Sequence, residues 1–292
     1  MPREAEPSNN AKAFLLQALR ENVRLDGRAF DEFRQIDLSF GDEYGVATAR
    51  LGKTKVMVRV SSEVVKASAD RKFDGVFTIS TELSPIASPA FEVGRQDQAE
   101  VLLSRILEKT IRRSGALDTE SLCIIAGQKC FHVRADVHVL DHDGSLVDAS
   151  CLALVAALMH YRRPDFEVRG EEVQIFDPRE REPIKLSMQH QPFCVTFGYY
   201  EDGSVMLLDS TLLEEQCREG EVMISMNRFG EICQIAKYSG EPVDAMSVLN
   251  CMNVALEKVK VFDKLVKAKL EEDEKRRDVG GLMAELSAEN AR

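Results

Sequence analysis

Four aspartates and two histidines crowd the stretch Asp136-Val-His-Val-Leu-Asp-His-Asp-Gly-Ser-Leu-Val-Asp148. Two chemistries are open to such a run. The first is anion binding. Val133, Ala135, Val137 and Val139 alternate as a strand, Asp143-Gly144 forms a turn, and an apolar helix begins near Asp148. A strand that passes through a glycine turn into a helix N-terminus points backbone N–H groups at one spot and suits an anion. Phosphate also calls for a fixed cation, usually an arginine fork. Ser145, Leu146 and Val147 supply none. The second chemistry is a divalent metal. Asp136 and His138 share one strand face, with Asp141, His142 and Asp143 close behind. A hydrolase would need a further pair of ligands downstream, and the sequence offers no evident pair. Hydrogen-bonded polar groups at a strand end are the simpler account, and no metal or cofactor is expected.

A second group is cationic: Arg105, Lys109, Arg112 and Arg113. On a helix, positions i, i+4 and i+7 are neighbours, which puts Arg105, Lys109 and Arg112 on one face. Such a face binds nucleic-acid phosphate or is merely solvated. His190 and Gln191 read as ordinary loop polars.

The elements that must position these residues follow from periodicity. Ser8-Asn9-Asn10 caps a helix reaching Asn22. Strands are predicted at 33–40, 46–51, 56–60 and 76–80, then a proline- and serine-bearing loop at 82–92 and a helix at 98–114. Strands at 122–126 and 131–140 lead to a helix over 149–161. The segment 162–170 reads as a hinge. Strands recur at 172–176, 193–199, 205–208, 221–226 and 231–236, followed by a long helix from about Val243. Its stripe is Leu249, Met252, Leu256, Val259, Phe262, Val266 and Leu270. Beyond Glu271 charge covers every face, so the helix should leave the body there; Gly280-Gly281 should break it before an apolar cluster of Leu282, Met283 and Leu286 that suits docking on a partner. Strands then a helix, twice over, argue an α+β fold of mixed sheets packed with helices.

The chain has 292 residues, enough for two cores, with 44% hydrophobic and 30% charged residues. Its longest apolar run, Cys151 to Met159, is far short of a bilayer span, and the polar N-terminus lacks an apolar signal core. Seven cysteines without a Cys-x-x-Cys pair read as buried reduced thiols, placing the protein in cytosol or nucleus. A net charge of −11 makes it a poor nucleic-acid binder by itself, leaving a local patch within an assembly.

Arg24-Leu25-Asp26-Gly27-Arg28 resembles the Arg-x-Asp-Gly-Arg opening of the RNase PH family. Gly52-x-Thr54-x-Val56, Glu100 with Arg105-Ile106-Leu107, and Asp136-Val137…Leu140…Asp143-Gly144 follow in the family's order, over roughly residues 20 to 260. Arg112-Arg113-Ser114-Gly115-Ala116-Leu117-Asp118, Val133-Arg134-Ala135-Asp136-Val137-His138 and Glu180-Arg181-Glu182-Pro183 are similar to one branch, the RNase PH-like ring subunits of the eukaryotic RNA exosome.

The resemblance implies a two-part RNase PH-type fold (ribosomal protein S5 domain 2-like). It assigns 1–30 to an N-terminal helix and turn, 31–165 and 166–270 to the two halves, and 271–292 to a C-terminal helix extending from the body with its tail. It implies a ring of six such subunits beneath three RNA-binding caps. Active members use phosphate to cleave the terminal RNA linkage, holding it with an arginine in Gly-Gly-Thr-Arg and protonating with a downstream aspartate. Here the arginine position falls on Val147, and Asp177-Pro178-Arg179-Glu180-Arg181-Glu182-Pro183 does not match the carboxylate pattern.

The expectation is therefore a non-catalytic subunit with no catalytic residues, supporting 3′-to-5′ RNA processing and degradation. Arg105, Lys109, Arg112 and Arg113 would bind RNA, since the same helix contacts RNA phosphates in the family. The expected partners are the other RNase PH-like ring subunits, S1/KH-type cap subunits, a hydrolytic nuclease and single-stranded RNA, with no membrane. The expected compartments are nucleus, including nucleolus, and cytoplasm. The alternatives are an active phosphorolytic 3′-to-5′ exoribonuclease and a metal-dependent hydrolase.

Overall fold

The structure is a computed structural model. It describes residues 6–277 apart from 93, 95, 96, 170, 171, 178, 179, 202, 239 and 241. Gly280-Gly281 and the Leu282, Met283, Leu286 cluster lie outside the described residues.

The chain opens with α1 (Asn9–Arg20), whose N-cap Ser8 accepts the Ala11 N–H at 3.2 Å. Then come β1 (Ile36–Phe40), β2 (Val46–Leu51), β3 (Thr54–Lys66), β4 (Val76–Leu83), α2 (Gln98–Glu108), β5 (Cys123–Ile125), β6 (Lys129–Asp141) and α3 (Leu146–His160). The rest is β7 (Arg162–Arg163), β8 (Phe166–Arg169), β9 (Glu172–Ile175), β10 (Ile184–Lys185), β11 (Phe193–Tyr200), β12 (Val205–Leu208), α4 (Leu212–Cys217), β13 (Gly220–Met226), β14 (Ile232–Tyr238) and α5 (Ala245–Arg277).

The first sheet runs β1-β2-β3-β6-β4, with β5 also on β6. Only β4 runs parallel to its neighbour β6. The second sheet, β12-β11-β13-β14, is wholly antiparallel. Between them lies α3, which packs against β2 and β3 on one side and β11 on the other. Its composition explains the position: Cys151 to Leu158 is apolar on every face, and all eight residues are buried. A helix without a polar face has to sit between layers.

Besides shifts at strand ends, such as β3 reaching Lys66, several features differ from the sequence reading. The α3 helix starts at Leu146, because Ser145 adopts a left-handed conformation (φ 53°) and turns the chain early. The helix predicted over 98–114 is regular only to Glu108, and Lys109–Arg113 forms a wider π-type turn. The segment 162–169 carries β7 and β8, paired with β10 and β9. One continuous core, from Leu38 through α3 to Val266, spans both halves instead of two cores joined by a hinge.

The C-terminal helix differs most. Its buried stripe is Cys251, Ala255, Val259, Phe262 and Val266, while Leu249 is half exposed. Nor does α5 leave the body at Glu271. Through Arg277 it stays docked, because its charges find partners on the body. Asp273 is 6% exposed and accepts from His160 Nε2–H at 3.0 Å and from Arg276 at 2.7 Å. The Arg277 guanidinium also donates to the backbone carbonyls of Gly41 and Asp42. Glu274 binds Lys185 at 2.6 Å and Arg162 at 3.3 Å. Charge on all faces looks solvent-bound in one dimension, but here β7 and β10 supply Arg162 and Lys185, α3 supplies His160, and the β1–β2 connection supplies backbone carbonyls.

Candidate functional site

The Asp143-Gly144 turn sits where expected, between β6 and α3. Gly144 has φ +83°, and a Cβ there would lie 2.4 Å from the Ser210 carbonyl oxygen. The connection from β12 to α4 thus lies directly on the turn, and only glycine admits that approach.

Glu215 of α4 and Asp148 of α3 occupy the helix N-terminus. The Ser145 N–H donates to Glu215 Oε1 at 2.8 Å. Asp148, 2% exposed, accepts from Ser145 Oγ at 3.1 Å, from Thr196 Oγ1 at 2.7 Å and from the Thr196 N–H at 3.0 Å. Burial pushes the Asp148 and Glu215 carboxyls up to about 7, against the hydrogen bonds and the Arg218 charge that favour ionisation. The anion-shaped corner holds two of the chain's own carboxyls. Val147 is half-buried in the first turn of α3 and brings no cation.

Cations do reach this corner, though not from the helix. Arg34 donates to Asp209 at 2.8 Å, to the Asp143 carbonyl at 2.7 Å and to the Gly144 carbonyl at 3.3 Å. Arg28 meets Asp209 at 2.9 Å. Arg24 is 2% exposed, grips Glu214 with two bonds of 3.1 and 2.7 Å, and donates to the Leu208 and Asp209 carbonyls. Asp209, fully buried, is held at φ 50°, a left-handed conformation that non-glycine residues seldom adopt. Each guanidinium is thus matched by a carboxylate of the second half. The sequence reading quoted Arg24 to Arg28 as a motif and missed this role, along with Arg34, Asp209, Glu214 and Glu215. The signal available was the pair of arginines spaced four apart around Asp26-Gly27; their partners lie some 180 residues away.

The histidines and aspartates of β6 do not converge. Asp136 pairs with Arg134 at 2.7 Å and His138 with Glu82 at 3.0 Å, all on the solvent face of the first sheet. Among the described residues no three of His, Cys, Asp and Glu are placed to hold a metal ion. His190 Nε2 lies 3.7 Å from the Cys233 Sγ.

The basic residues are exposed at the end of α2 and along the π-type turn. Thr110 and Ile111 anchor that turn: both are buried, and Thr110 Oγ1 lies 3.5 Å from Cys194 Sγ of β11 and 3.4 Å from Gln234 Oε1 of β14. The cations therefore stand at the seam of the two halves. The wider turn alters the expected stripe, since the i, i+7 relation of Arg105 and Arg112 assumes an unbroken α-helix. Arg112 instead pairs with Glu108 at 3.0 Å.

Comparison with known proteins gives the relatives of the whole chain. The profile described as "3′ exoribonuclease family, domain 1" (RNase PH) matches residues 32–164, and that for domain 2 matches residues 190–258. The Exosome complex component rrp45 of Schizosaccharomyces pombe is 45% identical over 292 residues, covering 100% of both chains. The Exosome complex component RRP45 of Saccharomyces cerevisiae is 42% identical, covering 100% of this chain and 99% of its own. The human protein of that name is 42% identical over 96% of this chain and 64% of its own length. Among solved structures, the Archaeoglobus fulgidus exosome with RNA bound to the active site superposes with a TM-score of 0.77. The two are 29% identical, over 88% of this chain and 97% of that one.

Proposed function

This chain belongs to the 3′ exoribonuclease (RNase PH) family, and from that premise we propose that it is a non-catalytic ring subunit of the RNA exosome. Its role is to complete the ring and to offer Arg105, Lys109, Arg112 and Arg113 to single-stranded RNA passing through it. Full-length likeness to proteins named exosome complex components supports the ring role. One observation carries the non-catalytic reading: the helix N-terminus suited to phosphate holds Glu215 and Asp148 beside Val147. An incoming phosphate would meet carboxyls where an active member presents an arginine.

The proposed partners are the other RNase PH-like ring subunits, S1/KH-type caps and a hydrolytic nuclease that receives the threaded RNA. The proposed compartments are nucleus, nucleolus included, and cytoplasm; seven free cysteines support a reducing environment. No helix among the described residues is long and apolar enough to cross a membrane.

The competing reading is an active phosphorolytic exoribonuclease, favoured by the strand, glycine turn and helix layout. The test incubates the purified chain with RNA and inorganic phosphate and measures nucleoside diphosphate release. No release is expected, and Val147→Arg should not create it while Glu215 holds the Ser145 N–H. Robust phosphorolysis by the unaltered chain rejects the non-catalytic assignment.

A further inference from the structure

We propose that Cys123 and Cys130 form an oxidation-responsive thiol pair that a peroxide closes into a disulfide. The two residues are directly opposed across the antiparallel β5–β6 pair. Opposed residues of such a pair project to the same face, with Cα atoms about 4.5–5.5 Å apart. A disulfide accepts Cα separations of about 4.4–6.8 Å, so the strand pairing itself supplies the required approach. The register is irregular between Cys123 and Ile125, which leaves β5, only three residues long, room to adjust.

The surroundings divide the roles. Cys123 is partly exposed, whereas Cys130 is fully buried. Burial, then the neighbouring Cys123, push the Cys130 thiol up, which disfavours its thiolate as the first to react. The Cys123 thiolate attacks one oxygen of hydrogen peroxide and breaks the O–O bond, giving a sulfenic acid and hydroxide, which its released proton converts to water. The Cys130 sulfur then attacks the sulfenyl sulfur, the S–O bond breaks, and the hydroxyl leaves as water with the Cys130 proton. Two thiols and one peroxide become one disulfide and two waters. In a reducing compartment the bond is transient, reopened by a dithiol.

The location gives the pair a consequence. Cys123 follows Glu120–Leu122, a short turn downstream of the basic segment, and Leu122 packs against Gly75 before β4. The neighbouring Gly127 N–H donates to the Lys72 carbonyl and the Ala67 N–H to the Gln128 carbonyl. A bond between 123 and 130 fastens this whole corner of the first sheet.

The experiment treats the native full-length chain with hydrogen peroxide, blocks remaining thiols with an alkylating agent, and maps peptides by mass spectrometry. The expected result is a peptide pair joined through Cys123 and Cys130, with two of the seven thiols lost to alkylation and recovered by dithiothreitol. Cys123→Ser, at the partly exposed position, should abolish the linked peptide and leave Cys130 reduced. Sulfenic or sulfinic acid accumulating on Cys123 while Cys130 stays alkylatable overturns the proposal, as does peroxide consumption at other cysteines with this pair untouched.

Discussion

At the residue scale, the corner around α3 turns on the ionisation of two carboxyls, Asp148 buried and Glu215 half-buried. Asp148 and Glu215 stand at about 7 in the folded chain, above their ordinary values of 3.8 and 4.5. The folded state therefore holds these protons more tightly than the unfolded chain does. Their contribution to stability is complete below their ordinary values and is lost as pH rises through about 7. His160 works in the opposite sense. Burial lowers it to about 4, so its contribution is complete above its ordinary 6.5 and is lost as pH falls toward 4. Because the slopes oppose, the informative quantity is the difference between parent and variant. Asp148→Asn should flatten the decline of melting temperature between pH 5 and pH 8, whatever its effect on the absolute value. An unchanged difference across that range would mean that Asp148 is ionised throughout.

At the element scale, two segments behave unlike regular helices, and each carries a prediction. The last turns of α5 are held by a polar cluster. His160 is neutral at ordinary pH, accepts the Gly45 N–H on Nδ1 at 3.1 Å and donates from Nε2 to Asp273. Asp273 in turn holds Arg276 and Arg277. Removing the buried carboxylate leaves the Arg277 guanidinium, 16% exposed, with backbone carbonyls alone as acceptors, and breaking a buried ion pair costs about 3–5 kcal/mol. Asp273→Ala should lower the unfolding free energy in urea by that order, and a loss below about 1 kcal/mol would reduce the cluster to a surface ion pair. The π-type turn after α2 is the second segment. Arg105 and Lys109 are exposed, so their charges contribute little to folding, on the order of 0–1 kcal/mol each. Contacts to phosphate release counterions and add salt-dependent affinity. Arg105→Glu with Lys109→Glu should therefore leave ring assembly intact, weaken RNA protection, and make its salt dependence shallower without altering sequence preference. RNase protection across a salt series on the reconstituted ring is the measurement. Equal protection with an equal slope would make the patch a solvated face.

At the scale of the whole molecule, the two halves cannot be separated. Arg24, Arg28 and Arg34 from the first 34 residues are satisfied by Asp209 and Glu214 of the second half. The α1 helix buries Leu15 and Leu19 against Tyr200 and Leu207, and α3 lies between both sheets. Yet the surface retains large apolar side chains: Ile86 is 79% exposed, Phe73 and Phe229 each 69%, and Phe14 63%. Single exposed residues are ordinary, but this many suit a chain that meets neighbours on several sides. The isolated chain should associate with itself or aggregate in size-exclusion chromatography, and become monodisperse when co-expressed with RNase PH-like partners. A soluble monomer with no affinity for them would contradict the ring role.

The amino-acid sequence alone determined the elements whose signals are local. Alternation marked β2 and β6, the apolar run marked the helix that became α3, Ser8 marked the first cap, and Asp143-Gly144 marked the turn into α3. It also determined that Val147 brings no cation to that turn. Only the tertiary structure decided what fills the corner, because Glu215 reaches the Ser145 N–H across 70 residues and Arg34 reaches Asp209 across 175. The same holds for α5. Its charged end reads as a departure when seen along the chain, since periodicity reports which side chains share a face and says nothing of the charges opposite. Asp273 stays buried because folding brings His160 to it from 113 residues away. Long-range pairing of charges is set by topology, and no local pattern encodes it.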